Sequence, residues 1–391
     1  MKIYMFPGQG SQAKGMGGDL FDRFRELTDK ADAILGYSIK ELCLDDPRDE
    51  LGKTQFTQPA LYTVNALSYF RKLEEGGGIP DFLAGHSLGE FDALMAAGCF
   101  DFETGLRFVK KRGELMGQVS GGGMAAILNA TRQEIEQTLA DGGIEDVYLA
   151  NYNSPSQIVV SGAAEQIAKA QPLFKKGKMR FYPLNTSGAF HSRFMRDAMG
   201  QFHEFLKGFE FAAPKIPVVS NVTARPYQSD RLLETLSSQI ASTVQWSESV
   251  QYLLALARHR GAGAEFEELG HGDVLTRLVE TIRRQTPDDV LDAFPIAVAP
   301  APSATEPTPA AAPTPAPSAA NVPAHTVAAT EKAKAWNARY PVGSKARSTT
   351  IDCPELETRT EAIVLFGHRA VVYMKGYNGY FDLDELQPVA A

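Results

Sequence analysis

The sequence predicts an α/β protein: a large subdomain built on a parallel sheet, a smaller β-α-β-β-α-β insert and a separate β-rich tail. Three observations carry that prediction. Short apolar strand-like runs alternate with amphipathic helical stretches over most of the chain, the pattern of strands sandwiched between helix layers. Between Met124 and Leu184 the elements shorten and take the order of a ferredoxin-like unit inserted into a larger domain. Near Pro295 the composition breaks, and residues 298–329 are dominated by Ala, Pro, Ser and Thr, which cannot bury a core. These breaks divide the chain into a domain of residues 1–295 with its insert at about 122–188, an extended Pro/Ala-rich linker of 296–330, and a small module of 331–391.

Taken in order, residues 3–6 read as a short buried strand that enters the glycine-rich loop Pro7-Gly8-Gln9-Gly10-Ser11-Gln12. Helical periodicity follows over 18–35 and again from Gln58-Pro59-Ala60 to Leu73, with Pro59 suited to a first turn. Phe82-Leu83-Ala84 is then a strand, Gly85-His86-Ser87-Leu88-Gly89 a sharp turn, and 90–97 a run of helix formers. Residues 101–116 place Phe102, Leu106, Val109 and Leu115 at helical spacing, with Arg107, Lys110, Lys111 and Arg112 on other faces.

Within the insert, strands are expected at 124–128, 147–150, 158–161 and 180–184, and helices at 131–139 and 163–174. Long elements then return: helices at 192–206, 230–240, 247–257 and 273–284, with strands at 216–218 and 265–269. In the tail, a short helix at 332–340 precedes strands at 345–351, 361–366 and 370–374, and Asn378-Gly379 signals a hairpin turn. Short strands and glycine turns are compatible with an SH3-like barrel there.

With 391 residues, 44% hydrophobic and 22% charged, the chain can bury a large core. A formal net charge of -8 argues against nucleic acid as the main partner. Cys43, Cys99 and Cys353 are widely spaced, which fits a reducing compartment and no zinc site. Pro7-Gly8 interrupts the N-terminal apolar run, and no run approaches membrane-spanning length, so a cytoplasmic location without membrane association is expected.

The Gly-x-Ser-x-Gly turn is where chemistry is concentrated. A strand, a strained elbow and a helix hold the Ser87 hydroxyl out at a helix N-terminus, as in α/β-hydrolase-like enzymes, where backbone N–H groups favour developing negative charge. A nucleophilic serine needs a base, and the candidates are His86, His191, His203, His259, His271, His325 and His368. His191 stands out because Ser187-Gly188-Ala189-Phe190-His191-Ser192 is a small-residue loop between a strand and a helix. His86 adjoins the nucleophile and must point away from it.

Seven motifs in one order carry a resemblance to a family: Phe6-Pro7-Gly8-Gln9-Gly10-Ser11-Gln12, Gln58-Pro59-Ala60, Gly85-His86-Ser87-Leu88-Gly89-Glu90, Arg112-Gly113, Asn153-Ser154-Pro155, Ala189-Phe190-His191-Ser192 and Val244-Gln245-Trp246. Over about residues 1–284 the chain resembles the malonyl-CoA:acyl-carrier-protein transacylases. The resemblance implies that Ser87 is acylated by malonyl-CoA, that His191 moves its proton, and that the backbone N–H groups of Gln9 and Leu88 form the oxyanion hole. It implies that a backbone carbonyl of Gln239 orients His191, so no triad carboxylate is needed.

The resemblance also makes Arg112 the clamp for the free malonyl carboxylate, with Gln58 lining the same pocket. Phe190 is implied to select malonyl over methylmalonyl, and Asn153 and Gln157 to lie on the coenzyme A or pantetheine side. His271 and Thr243 stand where the family more often has Pro. Together with the long tail and the sequence around His191, they make the chain look most like the discrete acyltransferases that serve polyketide synthases in trans.

The expected activity is therefore malonyl transfer from malonyl-CoA to the phosphopantetheine thiol of an acyl carrier protein, with no bound cofactor or metal. Three other readings remain: the fatty-acid-synthesis malonyl transferase, a hydrolase that edits stalled acyl carrier proteins, and a non-catalytic carrier-binding module. Arg112 speaks against the hydrolase, and the set of Gln9, Ser87 and His191 against the binding module. Residues 331–391 carry no motif that separates a docking role from a folded appendage.

Overall fold

Strand β1 (Lys2–Phe6) shows why the large sheet forms where it does: Ile3, Tyr4, Met5 and Phe6 expose none of their surface, as a parallel strand covered on both faces requires. The computed structural model describes residues 1–175, 177–186, 188–296, 324–349, 356–358, 360–365, 369–375 and 380–389. They fall into two units, Met1–Arg71 with Ile79–Phe294, and Lys72–Gly78 with Pro295–Ala391.

The first unit continues with α1 (Leu20–Arg23), α2 (Arg25–Leu35), α3 (Ile39–Leu44), α4 (Thr54–Glu74), β2 (Phe82–Gly85), α5 (Gly89–Ala96) and α6 (Phe102–Gly117). The sequence predicts one helix over 18–35, whereas the chain breaks at Phe24, whose backbone leaves the helical region. The Thr28 hydroxyl donates to the Phe21 carbonyl at the break, and to the Phe24 carbonyl that the Thr28 amide also reaches. Helix α4 starts at Thr54, so Pro59 lies inside it rather than in its first turn. A proline there removes one N–H from the helix ladder and crowds the carbonyl four residues before it. Helix α3 was not expected; Ser38 caps it by accepting from the Glu41 amide.

The insert follows as β3 (Gly122–Leu128), α7 (Arg132–Asp141), β4 (Val147–Ser154), β5 (Gln157–Ala163), α8 (Ala164–Ala170) and β6 (Arg180–Leu184). Its strands form an antiparallel sheet in the order β4-β5-β3-β6. Thr131 and Glu134 close a capping box at the start of α7. Strand β4 runs four residues past the expected end and so carries Asn153.

After the insert come α9 (Arg196–Leu206), β7 (Val218–Val219), α10 (Leu232–Ser238), α11 (Trp246–His259), β8 (Glu265–Glu268), α12 (Val274–Gln285) and α13 (Asp288–Asp292). The large sheet has the order β7-β2-β1-β8 and every pairing is parallel. Phe6 lies beside Gly85, and Ala84 beside Val219, so the loops after β1, β2 and β7 leave from one edge of the sheet. That carboxyl edge is where open α/β sheets place ligands. No helix among the described residues is long and apolar enough to cross a membrane.

The second unit contains α14 (Ala324–Arg339), β9 (Lys345–Ser348), β10 (Leu356–Glu357), β11 (Ile363–Leu365), β12 (Arg369–Tyr373), β13 (Tyr380–Asp382) and β14 (Leu386–Pro388). The strands make two three-stranded antiparallel sheets, β10-β9-β14 and β11-β12-β13. Trp336, Val372 and Met374 sit in its core. Helix α14 begins eight residues before the expected 332, inside the stretch read as linker. Pro323 is the last proline before it, and the alanine-rich run that follows has high helix propensity. The rest of the expected linker, 297–323, lies outside the described residues, as do Ser187, Cys353, His368 and the Asn378-Gly379 turn.

Candidate active site

The elbow after β2 is shaped by two glycines that cannot carry a side chain. A Cβ on Gly85 would fall 2.0 Å from the Gly89 backbone, and one on Gly89 would fall 2.0 Å from the Phe6 carbonyl oxygen. This close approach of α5 to β1 and β2 puts Ser87 in the turn with φ at 51°, a left-handed conformation that a non-glycine residue adopts only when its surroundings impose it. Asn221, in the loop after β7, imposes it: its Oδ1 accepts from the Ser87 amide at 2.7 Å and its Nδ2 donates to the Gly85 carbonyl at 2.7 Å.

His191 meets Ser87 from the loop before α9, also with left-handed backbone, φ 57°. Its amide donates to the Ile240 carbonyl, which ties that loop to the segment after α10. Its Nδ1 lies 3.0 Å from the Gln239 carbonyl and 3.1 Å from the Ser242 carbonyl. Both neighbours only accept, so Nδ1 carries the proton and Nε2 is left as the acceptor. The Ser87 hydroxyl then donates to Nε2 at 2.8 Å. Burial first, and the Arg112 charge second, push the imidazole down to about 3, so it is neutral and ready to accept a proton.

Arg112 is 1% exposed, although three basic residues share its helix surface in the sequence. Its Nη1 donates to Gln58 Oε1 at 2.7 Å, and its Nη2 to Gln239 Oε1 at 2.7 Å and Ser87 Oγ at 3.1 Å. All three acceptors are neutral, and Nε has no hydrogen-bond partner among the described residues. Burial pulls the guanidinium down to about 10 while Glu90 opposes that fall, so it stays charged at neutral pH.

A cavity of about 230 Å³ opens above these groups. Gln9, Gln58, Ser87, Leu88, Arg112, Asn153, Gln157, Phe190 and His191 all line it, so nine of the ten candidate residues share one space. The tenth, Gln239, reaches the site by hydrogen bonds. The Gln9 and Leu88 amides at the cavity wall donate to no acceptor among the described residues. Gln9 Oε1 accepts from Thr54, which also accepts from Gln58 and so fixes the wall between the β1 loop and α4. Asn153 Oδ1 pairs with His86 Nε2 at 2.8 Å, which engages His86 away from the nucleophile. Thr243 donates to the Leu149 carbonyl, joining the 243–244 segment to β4.

Four participants escaped the sequence reading. Asn221 and Ser242 come from loops with no motif of their own. Glu90 was read only as a helix former and Tyr227 not at all, yet the Glu90 carboxylate accepts from the Asn221 amide at 2.8 Å, Tyr227 Oη at 2.9 Å and Gln239 Nε2. The one signal available was Glu90 itself, which with Asp92 puts two carboxylates into the first turn of a helix that is otherwise apolar.

Residues 3–301 match the family model described as acyl transferase domain. The chain is 52% identical over 286 residues to the polyketide biosynthesis malonyl CoA-acyl carrier protein transacylase PksC of Bacillus subtilis, covering 73% of this chain and 98% of that one. It is also 52% identical over 287 residues to the polyketide biosynthesis protein PksE of the same organism, of which it spans 37%. A crystal structure of malonyl CoA-acyl carrier protein transacylase from Burkholderia pseudomallei superposes with a TM-score of 0.73 at 64% identity, covering 73% of this chain and 99% of that one.

Proposed function

The chain belongs to the acyl transferase family, and from that premise we propose that it moves the malonyl group of malonyl-CoA to the phosphopantetheine thiol of an acyl carrier protein through a malonyl-Ser87 intermediate. The observation that carries the proposal is Arg112: a fully buried cation beside the nucleophile, held only by neutral acceptors and with Nε unpartnered. A buried charge without a counter-charge in contact is costly, and a free acyl carboxylate repays that cost with paired, charge-assisted hydrogen bonds. A neutral acyl group does not.

In the proposed cycle Ser87 Oγ attacks the thioester carbonyl as its proton passes to His191 Nε2. The carbonyl oxygen gathers negative charge against the Gln9 and Leu88 amides. The C–S bond breaks, and His191 returns the proton to the departing coenzyme A thiol. The carrier's thiol then gives its proton to His191 and attacks the Ser87 ester, and the proton goes back to Ser87 Oγ. The malonyl carboxylate, once on Arg112, offsets the charge that depresses His191 and makes it a better base. The cycle consumes malonyl-CoA and calls for no cofactor.

Phe190 lines the cavity, and a bulky side chain at that position is proposed to favour malonyl over an α-methyl-branched acyl group. Asn153 and Gln157, carried by the ferredoxin-like insert, stand on the proposed pantetheine side. We place this transfer in the cytoplasm, serving a polyketide synthase in trans; the polyketide role is supported by the names of PksC and PksE, both polyketide biosynthesis proteins. The test is intact mass after brief exposure to malonyl-CoA, then addition of a phosphopantetheinylated carrier protein. A malonyl adduct that is absent in Ser87→Ala and passes to the carrier is the expected result. Rapid loss of the adduct as free acid, with no transfer, would make the protein a hydrolase instead.

A further inference from the structure

Beneath the nucleophile lies a closed polar layer whose charges balance only while the cavity is empty. Glu90 exposes none of its surface. Gln239 bridges it to the clamp: the amide oxygen accepts from Arg112 Nη2, and the amide nitrogen donates to the Glu90 carboxylate and, at 2.6 Å, to the Ser87 carbonyl. The two bonds fix the orientation of the amide, because a flipped Gln239 would set donor against donor at Arg112 and acceptor against acceptor at Glu90. One cation and one carboxylate, one amide apart, sum to zero.

A malonyl carboxylate paired with Arg112 adds a second negative charge to this layer. We propose that Glu90 takes up a proton when an acyl carboxylate binds Arg112, so that loading of the acyl pocket is proton-linked. The inference rests on the reading of the site as a malonyl pocket given above. Glu90 is then a positioning residue whose charge is present in the empty enzyme above about pH 7, where it faces Arg112, and absent in the loaded one.

The groups around Glu90 leave it as the site of uptake. Arg112 faces it from α6 and stays charged. Tyr227 donates to it, and burial together with Glu90 keeps the phenol neutral. Cys99, which acts on Tyr227, is pushed by burial up to about 12 and is a neutral thiol. Asn221 and Gln239 do not titrate. Asp92, two residues along α5, turns instead to Asn65 on α4. In the empty site burial already pushes Glu90 up to about 7, against three hydrogen bonds and the Arg112 charge that lower it. Weakening that last influence raises it further.

Acylation itself is proton-neutral below the pKa of the released thiol, because the Ser87 proton ends on coenzyme A. Net uptake therefore reports the linkage. The experiment adds malonyl-CoA to excess enzyme in a weakly buffered indicator solution and follows intact mass in parallel. Uptake should rise from near zero at pH 6 to most of one proton per malonyl group at pH 7.5, and Glu90→Gln should be malonylated on Ser87 with no uptake at either pH. Full malonylation of the wild type without uptake would overturn the proposal. So would uptake that persists in Glu90→Gln, which would place the proton on His191.

Should Glu90→Gln fail to fold, wild-type enzyme labelled with carboxyl-13C glutamate gives the same answer. One glutamate resonance should move from its ionised to its protonated position on malonylation, and no movement would overturn the proposal. Failure to form any malonyl adduct would sink the transferase reading itself, and the linkage with it.

Discussion

Helix α5 buries two carboxylates two residues apart, and the two faces on which they lie differ in almost everything but burial. Glu90 and Asp92 are both 0% exposed. Glu90 takes three hydrogen bonds and feels the Arg112 charge. Among the described residues Asp92 takes one side-chain hydrogen bond, from Asn65 Nδ2 at 3.0 Å, and its Oδ1 has no side-chain partner. Burial raises both, but Glu90 only to about 7, while Asp92 is raised well above the usual carboxylate range. A buried carboxylate is kept ionisable by its donors and a nearby cation; without them it is simply a neutral acid. The face that can still ionise is the one beneath Ser87.

The comparison breaks most visibly when the cation is removed. Arg112→Ala should lower kcat/KM for malonyl-CoA by roughly a hundred- to a thousand-fold, the cost of deleting one partner of a buried charge pair. Turnover of acetyl-CoA should fall far less. The same variant removes the second cause of the low His191 pKa, so an acid limb in the pH profile of Ser87 acylation should move upward. Equal losses with both acyl donors would show that Arg112 supports the fold rather than reads the carboxylate.

Glu90→Gln sharpens the contrast at the next level. The side chain keeps its shape, but it offers one acceptor and a donor where Gln239 Nε2 expects only acceptors, so malonyl transfer should drop about tenfold, close to one lost hydrogen bond. Stability should respond with a definite sign. The folded Glu90 sits near 7 against 4.5 for the free group, so its contribution is full below 4.5 and is lost as pH rises through 7. That loss is about 3 kcal/mol over the interval. Thermal unfolding of the wild type should therefore weaken from pH 5 to pH 8 by more than that of Glu90→Gln. Parallel pH profiles for the two proteins would remove Glu90 from the linkage.

How much of this was legible in the sequence follows from where each contact originates. The elbow was legible because Gly85, Ser87 and Gly89 are contiguous and each has a steric or chemical reason to be what it is. Gln239 was named because the family resemblance implies a backbone carbonyl on His191 at its position, whereas the bridging role of its side-chain amide depends on Glu90 and Arg112 arriving from two other helices. By local composition Arg112 is one of four basic residues on a helix, and the family resemblance is what marked it as the clamp. A closer reading of spacing would have separated it: Val109, Arg112, Gly113 and Met116 share one stripe of α6, and all are buried. Asn221 and Tyr227 stayed hidden because a loop residue's hydrogen-bond partner is set by tertiary packing that no local pattern encodes.

Asp92→Asn is the quiet half of the contrast and tests it most stringently. If Asp92 is a neutral acid at neutral pH, the substitution replaces one uncharged acceptor by another of the same shape, and Asn65 Nδ2 keeps its bond. Malonyl transfer should stay within about twofold, and stability below about pH 4, where Asp92 is protonated in the folded and the unfolded chain alike, within about 1 kcal/mol, as for an exchange that strands no new polar group. The sign appears as pH rises above about 4, where the unfolded wild type releases the Asp92 proton and the folded one holds it, and the variant does neither. Because the folded pKa is raised, Asp92 contributes stability at low pH that is lost on raising it, so Asp92→Asn should become the more stable protein as pH climbs. A large loss of transfer in Asp92→Asn, comparable to that in Glu90→Gln, would mean that the two faces of α5 are wired to the same site after all.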